Sequence, residues 1–396
     1  MIRARGGRPR SGLGRVFLQT ALIHSAYSVV RPMVSYRALE LGATGAQIGV
    51  LAASFAVLPL LLAFVVGRRA DTLGPGRLVV AGSALLTLGC VAALFAPGLV
   101  VLLLAAAGLG LAQLLSMVGQ QTTVARGTVG LERDRGFGSL TASASVGQML
   151  GPPLALSLAG WAATGGWSES TVGLGVAAVL ALLAVLVLAR PKPIAAAEAG
   201  SSEPTTSRRA FSELIRTDGM WQAMLTSGTV LAALDLLMAF LPVWAEERGV
   251  SVATVGWLLA VRALVSLLSR VGVVHLVEAL SRRWTFVGSL VLGVVGLALL
   301  PFVDVAGAVL VMCLLGVGLG LAQPLTLSWV SNISAPNVRG AAIGLRLTAN
   351  RLGQTVLPPA IGLAVADSGS AGVFLGCAVV LAAATGTVLG QRLEDP

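Results

Sequence analysis

The chain has 396 residues, of which 56 % are apolar and 11 % are charged, against roughly 45–50 % and about 25 % in soluble proteins. This leaves too little charge to cover soluble domains, so the composition predicts a polytopic helical membrane protein. The net charge of +10 would indicate nucleic-acid binding in a soluble protein, but most of the basic residues lie in short loops, so no nucleic-acid partner is expected.

Twelve apolar windows have the length of about 20 residues that a bilayer requires. The first follows an arginine-rich N-terminus. Because it contains His24 and Arg31 and lacks a cleavage site, we interpret it as an uncleaved span. The predicted spans are residues 15–38, 45–66, 77–97, 99–124, 138–163, 170–189, 219–244, 252–273, 285–301, 306–331, 341–366 and 371–390.

Basic residues are distributed unevenly among the connections. Of 27 Lys and Arg residues, five lie within spans and the odd-numbered connections hold only Arg37 and Arg248, so the tails and even-numbered connections hold the other twenty. The positive-inside rule then places both termini in the cytoplasm. We expect a multi-pass protein of the bacterial cytoplasmic (inner) membrane.

Three sequence patterns recur in order at offsets of 206 to 210 residues. This indicates a duplication, and because six spans are an even number, the two copies have the same orientation. The pairs are Gly108–Gln113 with Gly318–Gln323, Gly147–Pro153 with Gly353–Pro359, and Glu40 and Gly42 with Glu247 and Gly249.

The duplication predicts two six-span halves, residues 1–189 and 219–396. Residues 190–218 separate them and are rich in Ala, Ser, Thr and Pro near their centre. Such a composition is typical of a flexible linker, which we place in the cytoplasm.

The connection after the second span reads Gly67-Arg-Arg-Ala-Asp71-Thr-Leu-Gly74-Pro-Gly-Arg77. It resembles the signature loop of the major facilitator superfamily, and a degenerate second copy contains Glu278. The resemblance covers nearly the whole chain and implies two six-helix repeats that rock about a central site. We interpret the loop as a conformational lock, in which Asp71 faces the N-terminus of a neighbouring helix. A plain solvated turn is the alternative.

The fifth span resembles the antiporter signature of the same superfamily, G-x8-G-x3-G-P-x2-G-G. The four matching residues would pack closely and kink the helix; they are Gly138, Gly147, Gly151 and Pro152. Ala155 and Leu156 replace the final glycines, and Leu104 stands where such exporters often carry an arginine.

Polar residues follow one face of the fourth span, at Gln113, Ser116 and Gln120, and the tenth span repeats the start of this face as Gln323 and Thr326. The resemblance implies that the first, fourth, seventh and tenth spans line the cavity. These side chains are therefore candidate substrate contacts, and hydrogen bonding between helices is the alternative.

Asp235 is the only carboxylate deep within a span, and His24 lies about nine residues into the first span. Ionisable groups in lipid are costly, so both are candidate proton carriers. A structural role is the alternative for each.

Five arginines lie within spans. Arg31 is a candidate substrate contact that is long enough to reach the outer interface, and Arg270 and Arg346 are expected to reach the inner one. Arg262 and Arg351 fall near mid-depth, where a single Asp cannot neutralise both. This favours an anionic substrate, or pairing with carbonyl groups and Asn350.

The sequence thus predicts a secondary transporter that couples protons to the export of a small organic molecule or drug. The alternative is proton symport uptake of an anionic metabolite. We expect a monomer in the lipid bilayer, without cofactor or metal. An enzyme is not expected, because the only lysine, Lys192, lies in Pro-Lys-Pro outside any P-loop, and the three cysteines and two histidines are scattered.

Overall fold

A computed structural model describes residues 11–128, 131–188, 216–335, 338–365 and 368–390. Within these ranges the chain forms thirteen α-helices, a 3-10 turn at Leu300–Phe302 and no β-strand. The helices are α1 Ser11–Glu40, α2 Gly45–Leu73, α3 Pro75–Leu94, α4 Leu99–Gly127, α5 Leu131–Ala163, α6 Glu169–Leu188, α7 Met220–Glu247, α8 Val252–Val271, α9 Val273–Leu280, α10 Arg282–Leu299, α11 Val305–Ile333, α12 Arg339–Ala364 and α13 Gly369–Leu389. The predicted linker lies almost entirely outside the described residues.

A long helix occupies each predicted span, with the short α9 between the eighth and ninth spans. In the described part of the chain, nine helices are long and apolar enough to cross a membrane. The other three long helices are α1, α5 and α12, which have 30, 33 and 26 residues. They are long enough to span a bilayer at 1.5 Å per residue, and all three contribute polar side chains to the cavity described below.

The duplication recurs in the contacts between helices. Glu40, at the end of α1, accepts hydrogen bonds from the hydroxyl groups of Ser168 (2.6 Å) and Ser170 (2.7 Å) at the start of α6. Glu247, at the end of α7, accepts hydrogen bonds from the backbone N–H (2.8 Å) and the hydroxyl group of Ser370 at the start of α13. Each carboxylate therefore satisfies the first turn of a helix in its own half.

The two halves meet through glycines on α2 and α8. A Cβ atom on Gly49 would lie 2.8 Å from the carbonyl oxygen of Pro358 in α12, and one on Gly256 would lie 2.7 Å from that of Pro152 in α5. Gly49 and Gly256 are 207 residues apart, so these are two copies of one contact. Only glycine permits such a close backbone approach.

These contacts close one end of the helix bundle. We call it the odd-connection end, because it carries the α1–α2, α3–α4, α5–α6, α7–α8, α10–α11 and α12–α13 connections; the opposite end is the even-connection end. Toward the even-connection end, a Cβ atom added to Gly138 of α5 or to Gly344 of α12 would have nothing within 4 Å. The halves are therefore joined tightly at the odd-connection end.

Candidate substrate cavity

A cavity of about 280 Å³ lies between the two halves. This is close to the lower limit for sites that bind small molecules. Its wall combines apolar side chains with a large share of polar and charged ones. The lining residues are His24, Tyr27, Ser28 and Arg31 of α1, Gln113 and Met117 of α4, Gln148 and Pro152 of α5, Leu231, Leu234, Asp235 and Met238 of α7, Leu259 and Arg262 of α8, Gln323 of α11, and Arg346, Leu347, Asn350, Arg351 and Gln354 of α12.

An ion pair between Arg31 and Asp235 crosses from one half to the other. The second carboxylate oxygen of Asp235 accepts a hydrogen bond from Gln354 Nε2 at 2.8 Å. Arg351 in turn donates to Gln354 Oε1 at 3.1 Å. The expectation that Arg31 reaches the outer interface is wrong, since only 8 % of this residue is exposed. The buried carboxylate of Asp235 holds it inside.

Aromatic rings complete the surroundings of Arg31. Its guanidinium carbon lies 5.6 Å from the ring centre of Tyr27 and 5.1 Å from that of Phe55. Ring faces at these distances attract a cation. Arg31 is therefore held by a carboxylate and two rings, which is how a buried guanidinium is tolerated in a membrane protein.

Arg346 is buried as well, with 5 % of the residue exposed, so the expectation that it reaches the inner interface is wrong. One of its terminal nitrogens donates to the carbonyl oxygen of Gln323 (3.0 Å), to Gln323 Oε1 (2.9 Å) and to Thr326 Oγ1 (2.9 Å). Thr326 stands behind Arg346 and is not among the cavity-lining residues. Neutral acceptors on α11 thus stabilise this cation.

Arg262 differs from the other cavity arginines. Only 7 % of it is exposed, and its Nε atom has no hydrogen-bond partner. No described residue forms an ion pair with it. Asp235 is therefore the counter-ion of Arg31. The sequence alone had allowed it to pair with Arg262. Arg270, two turns further along α8, is half-buried and donates to the carbonyl oxygen of Gly320 at 3.1 Å.

The polar face of α4 divides between two roles. Gln113 lines the cavity, but Ser116 and Gln120 do not. Gln120 Nε2 donates to Gln19 Oε1 at 2.9 Å, and Gln19 Nε2 donates to Ser83 Oγ at 3.0 Å. Between Gln113 and the even-connection end, Gln120 therefore joins α4 to α1 and, through Gln19, to α3. Hydrogen bonding between helices was the alternative to substrate binding for this residue.

The other candidate proton carrier, His24, also lines the cavity. Its Nδ1 atom lies 3.4 Å from Gln148 Nε2. Asn350 is buried in the same wall, and its Oδ1 atom has no partner in the described part of the chain. Arg351 donates to Gln354 and not to Asn350, so the alternative of pairing with Asn350 does not apply to this arginine.

The glycines of the predicted kink in α5 are packing positions. A Cβ atom on Gly147 would lie 2.9 Å from the backbone nitrogen of Ser25, and one on Gly151 would lie 2.6 Å from its carbonyl oxygen. These two glycines hold α5 against α1, whereas Gly138 has open space around it. Leu104 is 69 % exposed on the outside of the bundle, so the missing arginine leaves no gap in the cavity wall.

The predicted lock loop forms the sharp junction of α2 and α3. Gly74 has φ 84° and ψ 140°, and Ser281, its counterpart at an offset of 207, has φ 70° and ψ 158°. A positive φ favours glycine, so the serine retains the fold of the turn at some cost in strain. Asp71 is in the last turn of α2, but its side chain lies outside the described part of the structure. Arg77 and Glu278 are exposed, and a Cβ atom added to Gly67 would have nothing within 4 Å.

Sequence reasoning missed Tyr27, Gln148 and Gln354 as lining residues. Tyr27 falls between His24 and Arg31 on one helical face, at spacings of three and four residues. Gln148 and Gln354 occupy equivalent positions in the repeated Gly-Gln-x-x-x-Pro-Pro pattern. The same polar residue in both copies of the repeat, four residues before a pair of prolines, was the sequence signal for a binding site.

A closed bundle of apolar helices around a polar cavity, with a pseudo-twofold relation between its halves, defines a membrane transporter. The sequence matches the family model of the Major Facilitator Superfamily over residues 16–247 and 223–393. The chain therefore belongs to the Major Facilitator Superfamily.

Solved structures of other transporters share this fold at low sequence identity. The nucleoside transporter NupG has a TM-score of 0.80 and 16 % identity, covering 97 % of this chain and 100 % of its own. A bacterial homolog of the human lysosomal transporter Spinster, inward-facing and occupied, has a TM-score of 0.73 and 15 % identity, covering 97 % of each chain. A variant of the peptide transporter POT in complex with sulfate has a TM-score of 0.71 and 16 % identity, covering 98 % of this chain and 96 % of its own. No curated protein matches the sequence significantly.

Proposed function

We propose that the protein is a secondary active transporter that takes up a small organic anion together with protons. The observation that carries this proposal is the charge of the cavity, which four arginines and a single carboxylate line. The arginines are Arg31, Arg262, Arg346 and Arg351, and the carboxylate is Asp235. Uncompensated guanidinium groups at membrane depth are costly, and a planar fork of donors suits a carboxylate or phosphate group.

The ion pair between Arg31 and Asp235 provides a route to proton coupling. An anionic substrate that binds Arg31 competes with Asp235 for the same donors. Once displaced, the carboxylate of Asp235 has lost its counter-ion at membrane depth, where a charge without a partner is costly, and a proton can take the place of Arg31. Anion binding and protonation of Asp235 therefore favour each other, which is the requirement for symport. His24 is the second candidate for the proton.

The proposed orientation follows the distribution of basic residues. With both termini in the cytoplasm of a bacterium, the odd-connection end faces outward, and the glycine contacts of Gly49 and Gly256 close the outer side. The cavity in this conformation then communicates with the cytoplasm. An inward proton gradient would drive symport toward uptake. Because one chain builds the whole cavity, we propose that a monomer transports.

Substitution of Arg351 by Gln tests the anion proposal. We expect Arg351→Gln to weaken the binding of anionic compounds by about tenfold or more, because a hydrogen bond to a charged group contributes about 1.5–3 kcal/mol. Neutral compounds should be affected far less. The measurement is equilibrium binding to purified protein, with Arg392→Gln in the C-terminal tail as the control. An equal loss for both kinds of compound would make Arg351 a structural residue.

Export of a drug by proton antiport is the second candidate function. It is favoured by the antiporter-like spacing in α5, where Gly147 and Gly151 pack against α1. The two candidates differ in the charge of the substrate. A clear preference of the wild-type protein for cationic drugs would favour export and contradict anion uptake.

We also propose that the loop between α2 and α3 is a conformational lock. It would hold the even-connection end closed while the odd-connection end is open. The Gly67, Asp71, Gly74 spacing and the repeated turn at Ser281 support this role. Asp71→Asn should lower the transport rate severalfold while leaving folded protein in the membrane, because the neutral amide interacts less with a helix N-terminus. Transport by the purified variant is compared with that of Glu278→Gln, and a normal rate in Asp71→Asn would exclude the lock.

A further inference from the structure

The wall of the cavity formed by α8 presents a cation that nothing in the described structure neutralises. Arg262 lines the cavity and is more than nine-tenths buried. Its Nε atom lacks an acceptor. Among the described residues, the charged neighbour that acts on it is Arg270, whose positive charge repels it. A guanidinium in this position is poised to accept an anion.

The backbone fixes Arg262 in this place. A Cβ atom on Gly316 of α11 would lie 2.8 Å from the carbonyl oxygen of Arg262, and one on Gly320 would lie 3.1 Å from the Cα atom of Ser266. Helices α8 and α11 are thus packed as closely as glycine allows on either side of one turn. The backbone of Arg262 is therefore held against α11.

The other three cavity arginines have acceptors of their own. Arg31 pairs with Asp235, Arg351 donates to Gln354, and Arg346 donates to Gln323 and Thr326. The cations of the site therefore differ in their surroundings. Arg31 and Arg351 belong to the network around Asp235, Arg346 is held by neutral acceptors on α11, and Arg262 on α8 has neither a counter-ion nor a hydrogen-bond acceptor among the described residues.

We propose that the substrate carries two separate acidic groups, one bound by Arg262 and the other by Arg31 and Arg351 in place of Asp235. This rests on the proposed anion transport and specifies its substrate class. With Asp235 displaced and protonated, the four arginines leave four positive charges, of which a monoanion cancels one and a dianion two. Because burial of uncompensated charge is unfavourable, the dianion is the better match. A dicarboxylate carries its two charged groups apart, so that one can bind Arg262 while the other takes the place of Asp235.

The test measures the binding of succinate, glutarate and adipate, each with its monoamide, to the purified full-length protein by isothermal titration calorimetry. We expect at least one diacid to bind more tightly than its monoamide by about 10- to 100-fold. Arg262→Gln should remove this advantage by weakening the diacid while leaving the monoamide unchanged. Arg262→Lys, which keeps the charge but loses the fork, should give an intermediate loss.

Arg392→Gln in the C-terminal tail is the control, because it removes one positive charge outside the helices that line the cavity, and it should preserve the diacid preference. Three results would contradict the inference: equal affinities of diacid and monoamide, equal losses for both in Arg262→Gln, or tighter binding of phosphate monoesters than of any diacid. In each of these cases anions still bind, so the proposed function stands. If neither diacids nor monoamides bind, both this inference and the proposed anion transport are contradicted.

Discussion

Gly256→Leu should abolish transport. A Cβ atom at this position would lie 2.7 Å from the carbonyl oxygen of Pro152 and 2.9 Å from the Cβ atom of Leu156. Neither atom can move without moving α5, so the leucine must separate the halves at the odd-connection end. Overpacking of this kind costs about 1–3 kcal/mol or more, which corresponds to a shift in conformational population of about 5- to 150-fold. Alternating access requires both conformations, so the cycle should stop.

Two measurements check this result. Transport into proteoliposomes should fall to the level of empty vesicles, and a cysteine introduced at Met238 in the cavity should react faster with a reagent applied from the odd-connection side. Gly288→Leu is the matched control, since a Cβ atom added to this exposed glycine of α10 would have nothing within 4 Å. Normal transport by Gly256→Leu would mean that the close contact is not needed for the cycle.

Asp235→Asn should abolish accumulation driven by a pH gradient but preserve exchange of substrate between the two sides of the membrane. The amide cannot bind and release a proton, yet its oxygen can still accept the hydrogen bond from Gln354. The variant also leaves Arg31 without its counter-ion, and breaking a buried pair costs about 3–5 kcal/mol of stability. A lower melting temperature is therefore part of the expected result.

The double variant Arg31→Gln, Asp235→Asn separates the two effects. Removing both charges should restore much of the lost stability, because Arg31 no longer leaves a charge without its counter-ion, but it should not restore coupling. Gradient-driven accumulation that persists in Asp235→Asn would transfer the proton to His24 or to no acid within the membrane.

Most of the fold could be predicted from local patterns. The length and spacing of apolar windows indicated twelve spans, and the recurrence of Glu40 and Gly42 as Glu247 and Gly249 indicated the duplication, because such patterns are properties of short segments. The helices α1, α5 and α12 are less apolar than the other long helices, and a hydropathy average does not show which of their polar residues, such as His24, Gln148 and Asn350, line a cavity.

The partners of the charged residues could not be predicted in this way. Depth along a helix placed Arg31 near an interface, but the choice between an interface and a buried ion pair depends on α7 lying beside α1, with Asp235 opposite. The role of Gln120 depended likewise on Gln19 and, through it, on Ser83, which belong to other helices. Contacts between distant segments decide these assignments, and sequence periodicity carries no information about them.

The central claim is that protons and a small organic anion move together through this cavity. It is tested most directly by a pH-sensitive dye inside proteoliposomes of the wild-type protein, to which organic anions or cationic drugs are added outside. We expect an organic anion such as a dicarboxylate to acidify the interior, with no such signal in Asp235→Asn. Alkalinisation of the interior on addition of cationic drugs, with no response to any anion, would contradict the claim.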